Sequence, residues 1–228
     1  MNMMSDLSNG WSPLALSLWI SFLAGLIALI LGILLAWLLV RFNFRGKAFL
    51  EGLTLLSLVL PPTVLGYYLL VMFGQRGLGP FIEQTFGFRV VFAWPGAVIA
   101  AAITALPLVL TTVRISFADI STEVEDAARV DGCSEWQLFW RVMLPIAWRG
   151  ILAGGLLGFL RALGEFGATL MIAGNIPGRT QTLAMAIYDA VQANDLARAN
   201  GLALLLISMA FGLLFLVLRL NRRIIGGV

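Results

Sequence analysis

Thr122-Glu-Val-Glu-Asp-Ala-Ala-Arg-Val-Asp-Gly-Cys-Ser-Glu-Trp-Gln-Leu-Phe-Trp-Arg-Val-Met-Leu-Pro145 stands out as polar, ordered sequence in an otherwise apolar chain. Thr122 and Glu125 have the capping-box spacing, in which a hydroxyl and a carboxylate three residues apart satisfy each other's orphan backbone donors. A short helix through Ala127, Ala128 and Val130 follows and ends at Gly132, the residue type suited to a left-handed cap. Ser134 and Gln137 repeat the box. Trp136, Phe139, Trp140 and Met143 then recur at i, i+3, i+4 and i+7, an apolar helical stripe. Pro145 disfavours helical backbone at the residue before it and is expected to stop the second helix. The stretch reads as helix, glycine hinge, helix, proline.

Around this segment the chain is too apolar to face water. Of 228 residues, 60% are hydrophobic and 12% charged, and the mean hydropathy is +0.95. A soluble domain is about 45–50% apolar and about 25% charged. The composition is that of an integral membrane protein. With no His and one Cys (Cys133), an internal disulfide, a Cys/His metal cage and Ser-His or Cys-His catalysis are all excluded. No metal site is expected.

Charge-free runs mark the spans. Those between Asp6 and Arg41, Glu51 and Arg76, Arg89 and Arg114, and Arg198 and Arg219 each reach the roughly 20 residues that a helix needs to cross a bilayer. A fifth run, from about Gly150 to Gly174, is interrupted by Arg161 and Glu165. The expected fold is an all-α membrane protein with about five transmembrane helices. It forms one domain over residues 1–228, with a polar helical hairpin at about 116–149. The first run is too long for a signal-peptide core and Met1 to Gly10 holds no basic residue, so cleavage is not expected. Arg41, Arg45, Lys47, Arg114, Arg129, Arg141, Arg149, Arg219, Arg222 and Arg223 fall on one side, against Arg76, Arg89, Arg179 and Arg198 on the other. Loops rich in Lys and Arg stay in the cytoplasm, which predicts an outside N-terminus and an inside C-terminus. No internal repeat is visible and an odd number of spans does not split into equal halves, so a transport pathway needs a second copy.

The chain has no means of its own to use ATP. A phosphate-binding loop needs G-x-x-x-x-G-K-[ST]. The single Lys, Lys47, follows Gly46, but Arg41 stands at the first Gly position and Ala48 follows the Lys. Gly74, Gly77 and Gly79 lack the dinucleotide spacing and read as an external turn. No nucleic-acid signature is present.

Two features within the spans invite a functional reading. Arg161 and Glu165 place opposite charges one helical turn apart. Ionisable residues at membrane depth are costly and face the protein interior. They either neutralise each other and fix the helix, or line a pathway, with Arg161 offering positive potential to an anion; a proton relay at Glu165 is the third alternative. Gly150, Gly154 and Gly158 form a small-residue ridge for close packing, while Gly164 and Gly167 thin the helix around Glu165 and Phe166. Pro61 and Pro62 must break a helical hydrogen bond and bend the second span, either as a simple kink or as part of a gate.

Ala127, Ala128, Gly132, Leu144 and Pro145 fall in the pattern of the loop, named for its Glu-Ala-Ala, of permease subunits in binding-protein-dependent ABC importers, and the chain resembles that family. Asp126 stands where the pattern has Glu, with Glu125 adjacent, so either carboxylate could fill that role. The resemblance implies that Glu125, Asp126, Ala127, Ala128, Gly132, Phe139, Leu144 and Pro145 couple the chain to an ATPase. Arg161-Ala-Leu-Gly-Glu-Phe-Gly-Ala-Thr169, Gly174-Asn-Ile-Pro-Gly-Arg-Thr180 and Leu60-Pro-Pro-Thr-Val-Leu-Gly66 are similar to molybdate permeases, with sulfate and thiosulfate permeases next. The resemblance runs from about Leu14 to the C-terminus. It implies an importer of molybdate or tungstate in the cytoplasmic membrane of a prokaryote. Its partners would be a second copy, two cytoplasmic ATPase subunits that hold ATP and Mg, an extracytoplasmic oxyanion-binding protein and membrane lipid. Pro61, Pro62, Arg161, Glu165, Phe166 and Gly167 are then the candidates for pathway or gate. The rivals are a sulfate permease of the same family, a secondary transporter with Glu165 as relay, a membrane enzyme, which would need chemistry the residues do not supply, and a scaffold without transport.

Overall fold

Pro13–Arg41 opens the fold as α1, in a computed structural model that describes residues 12–225, with side chains as far as Phe215. Met1 to Gly10 and the side chains of Arg219, Arg222 and Arg223, on which part of the sidedness argument rests, lie outside the described residues. The Ser12 hydroxyl accepts from the Ala15 N–H at 3.2 Å and Pro13 sits in the first turn, where its missing N–H is harmless. At 29 residues, α1 is about 43 Å long. Its buried face carries Ala24, Ala28, Gly32 and Ala36, small residues four apart, which lets other backbones come close.

The helix it meets is α5 (Trp94–Ala118), and α9 (Trp148–Leu163) completes a central three-helix group. The ridge expected at Gly150, Gly154 and Gly158 packs against α5. A Cβ at Gly158 would sit 2.5 Å from a Val109 methyl, and one at Gly150 would sit 1.7 Å from the Ser116 hydroxyl. Tight helix packing accounts for all three glycines. Around the group lie α2 (Lys47–Val59), α3 (Pro62–Phe73), α4 (Gly79–Phe86), α10 (Gly167–Ala173), α11 (Leu183–Gln192) and α12 (Leu196–Ile225).

Three helices, α1, α5 and α12, are individually long and apolar enough to cross a membrane, and the number rises to five when each of two bent pairs contributes one crossing. The fold is all-helical among the described residues. The second expected span is α2 and α3, bent by 115° at Pro61 and Pro62. These prolines offer no N–H to the carbonyls of Ser57 and Leu58, so the helix cannot run through. The second bent pair is Glu135–Ile146 with α9, at 75°. The run expected from about Gly150 to Gly174 is divided as well: α9 stops at Leu163 and α10 starts at Gly167.

Candidate functional site

The hairpin is built by α6 (Thr122–Val130), α7 (Glu135–Leu138), a wide π-helical turn (Phe139–Met143) and α8 (Leu144–Ile146). Its glycine hinge forms as expected. Gly132 has φ +85°, its N–H donates to the Arg129 carbonyl at 2.9 Å, and the Cys133 N–H donates to that of Ala128 at 3.0 Å. This is the two-bond Schellman closure. The second capping box also forms: the Ser134 hydroxyl accepts from the Gln137 N–H at 3.3 Å, and the Ser134 N–H donates to the Gln137 side-chain oxygen at 2.9 Å.

Two local expectations give way. The first capping box is absent, and α6 begins after Ser121 without a side-chain cap. Glu125 is instead 7% exposed and accepts from Arg41 at 2.7 Å and from Arg129 at 2.8 Å. A carboxylate this enclosed is held better by two guanidinium groups than by one neutral amide. Pro145 does not end the second helix either. The π turn shifts the hydrogen-bond register just before it, leaving Pro145 in the opening turn of α8, where no N–H is needed. The bend comes two residues later at Ala147, where the chain turns by 75° into α9.

Arg41, the last residue of α1, joins the hairpin at two points. Its Nη1 donates to Glu125 at 2.7 Å, and its Nη2 and Nε engage both oxygens of Glu135, the Nη2 contact at 2.6 Å. These hydrogen bonds hold the Glu135 carboxyl below its ordinary range, so the pair stays charged until the pH falls beneath ordinary carboxylate values. Packed beside the ions is an aromatic cluster. Trp37 of α1 lies 4.9 Å from Phe139 and 5.9 Å from Trp136 between ring centres, and Phe117 of α5 meets Phe139 at 6.3 Å. Phe139, Leu138 and Met143 are buried and Leu144 is half-buried. These residues seat the hairpin on α1 and α5.

The opposite face of α6 is open. Asp126 is 69% exposed and bonded only to Arg129 of its own helix among the described residues, and Ala127 is exposed beside it. The adjacent carboxylates therefore divide the work: Glu125 turns inward and Asp126 outward. Val130, 87% exposed, shares the open face and was not among the expected site residues. The helical period would have found it, because Glu125, Ala128 and Arg129 point one way and leave residues 123, 127 and 130 on the other.

The pathway candidates meet in part. Gly167 begins α10 against the start of α3, where an added Cβ would lie 3.1 Å from the Pro62 ring. Arg161 donates to Glu165 at 2.9 Å, although Glu165 lies in the break and not on α9. The other Glu165 oxygen accepts from the Ala168 N–H at 2.9 Å, so one carboxylate ties the end of α9 to the start of α10. Phe166 packs on Tyr188 of α11 at 5.3 Å. Pro61 is exposed and precedes in the chain the Pro62 that Gly167 meets.

Residues 28–226 match the family described as "Binding-protein-dependent transport system inner membrane component". The chain belongs to that family. The permease is 42% identical over 209 residues to "Molybdenum transport system permease protein ModB" of Escherichia coli (strain K12), with 91% of each chain covered. It is 45% identical to the protein of the same description from Haemophilus influenzae (strain ATCC 51907 / DSM 11121 / KW20 / Rd), covering 79% of this chain and 80% of that one. "Sulfate transport system permease protein CysT" of Escherichia coli (strain K12) is 35% identical, covering 90% of this chain and 76% of that one. In fold, the permease is similar to a chain of the MetNI methionine ABC transporter, with TM-score 0.73 at 19% identity and coverage of 98% and 99%.

At the end of the permease away from the hairpin, a cavity of about 860 Å³ opens between the start of α1, the α3–α4 turn and the loop after α10. Trp19, Trp94, Glu83, Arg89 and Arg179 line it, with Arg89 donating to Glu83 at 2.6 Å.

Proposed function

We propose that this permease carries molybdate, with tungstate as a close chemical substitute, across the cytoplasmic membrane by alternating access. The observation that carries the reading is the 42–45% identity to two molybdenum permeases over 79–91% of the chain, against 35% for a sulfate permease. The hairpin end faces the cytoplasm, where the open face of α6 meets an ATPase subunit, with Asp126 as the outward carboxylate of the Glu-Ala-Ala pattern. The cavity end faces outward and receives oxyanion from a binding protein. Two copies of the chain enclose the pathway and two ATPase subunits drive it, holding ATP and Mg themselves.

The permease supplies shape and leverage, not chemistry. ATP shifts it between two arrangements only so far as the ATPase pair binds one of them better. A relay role for Glu165 finds little support, since each of its oxygens already has a partner. Proteoliposomes holding the permease, its ATPase and its binding protein test the proposal. ATP-dependent uptake of labelled molybdate is expected to fall with excess tungstate and persist with an uncoupler. Uptake that needs a proton gradient, or that sulfate blocks as well as tungstate does, overturns it.

A further inference from the structure

We propose that Arg41 is a positioning residue for energy coupling, through which the hairpin moves α1 as a rigid rod. The inference rests on the reading of the hairpin as the ATPase joint, and adds the element that takes up the motion. Arg41 ends α1 and is the point where that helix is ion-paired to both helices of the hairpin, through Glu125 on α6 and Glu135 on α7. Both oxygens of Glu135 are engaged, which fixes direction as well as distance. Two guanidinium groups, Arg41 and Arg129, share Glu125 and Glu135, so α6 and α7 do not move apart without breaking charged contacts. The Trp37, Trp136 and Phe139 rings fill the space alongside.

What lies at the far end of α1 makes a rod useful. Leu16 and Trp19 line the 860 Å³ cavity. The buried Ser17 hydroxyl accepts from the Leu183 N–H at 2.7 Å and so holds the first turn of α11. One unbroken helix of 29 residues thus touches the hairpin at one end and the cavity wall and α11 at the other. Two other routes are interrupted, at Pro61 and Pro62 between α2 and α3 and at Gly164 to Phe166 between α9 and α10. Helix α5 is also continuous, from Trp94 at the cavity to Phe117 at Phe139, but among the described residues it meets the hairpin through packed rings, whereas α1 adds the ion pairs of Arg41. A displacement at Arg41 reaches the cavity without crossing a hinge.

The test compares molybdate taken up per ATP hydrolysed in proteoliposomes of the whole assembly. Arg41→Gln is expected to retain the ATPase in full and to hydrolyse ATP, while uptake per ATP falls at least about fivefold, the low end of ordinary coupling energies. Arg41→Lys, which keeps the charge beside Glu125 and Glu135 but loses the grip on both Glu135 oxygens, is expected to retain more of that ratio than Arg41→Gln. An unchanged ratio in Arg41→Gln overturns the proposal. So does a parallel loss of ATPase retention, hydrolysis and uptake, which marks a purely structural contact, or an Arg41→Lys variant with a ratio no better than that of Arg41→Gln. A wild-type assembly that retains no ATPase defeats the hairpin reading itself, and that result is read before any variant is compared.

Discussion

Glu165 has its two oxygens on different elements, one on Arg161 of α9 and one on the first turn of α10, and at 3% exposure it has almost no water to fall back on. Removing its cation is therefore worse than removing the pair. Arg161→Ala leaves an enclosed carboxylate without a counter-charge, a change that costs about 3–5 kcal/mol when both groups are fully buried. Arg161 is 29% exposed, so the lower end, about 3 kcal/mol, is expected here. Arg161→Ala with Glu165→Gln should recover much of that loss, because the amide oxygen still accepts from Ala168. Thermal unfolding in detergent checks both. A double variant as unstable as the single one would show that the charge imbalance is not the cause. Glu125 follows the same physics: residues that look like caps by spacing are drawn away when a guanidinium from another element comes within reach.

Helices meet where the glycines are, and two of them make a controlled comparison. Gly66 on α3 packs on α10 so closely that a Cβ would lie 2.7 Å from the Ala168 carbonyl oxygen and 2.7 Å from the Met171 side chain. Gly52 on α2 has nothing within 4 Å of that position. Gly66→Ala is expected to push α3 off α10 and to abolish uptake, while Gly52→Ala improves α2 by up to about 1 kcal/mol of helix propensity with uptake retained. Expression, thermal unfolding and uptake measured together decide it; equal tolerance of both would mean that α3 and α10 do not pack this way. The contrast also shows what was legible beforehand. Signals carried within one turn of chain came through: the Ser134 box, the Gly132 cap, the ridge at Gly150, Gly154 and Gly158, and the break at Pro61 and Pro62. Arg41 lies 84 residues from Glu125 and 94 from Glu135, and neither helical period nor capping rule reaches that far. The Thr122 box failed for that reason. The helix end expected at Pro145 failed because a π turn, which has no sequence signature of comparable strength, absorbed the proline.

At the scale of the whole molecule, the α2–α3 break says which face lipid does not cover. Pro61 and Pro62 leave the Ser57 and Leu58 carbonyls without their helical donors, and both prolines are exposed in the single chain. Irregular backbone at membrane depth is tolerated where it is buried in protein or lines a water-filled space, not against acyl chains. On the two-copy reading proposed above, the break faces the second copy or the pathway between copies, whereas the stretch Leu196–Phe215 of α12, unbroken and with only 6% of its most apolar window buried, suits lipid. Val59, 79% exposed at the end of α2, reports on this directly. In a Cys133→Ser background, Val59→Cys is expected to react with a water-soluble maleimide or, under oxidation, with its symmetry mate, since a two-fold axis brings like residues together. Leu204→Cys on α12, also exposed, is expected to react only with a membrane-soluble maleimide. If Val59→Cys behaves like Leu204→Cys, the broken helix faces lipid, and the two-copy pathway has to be sought on another face of the bundle.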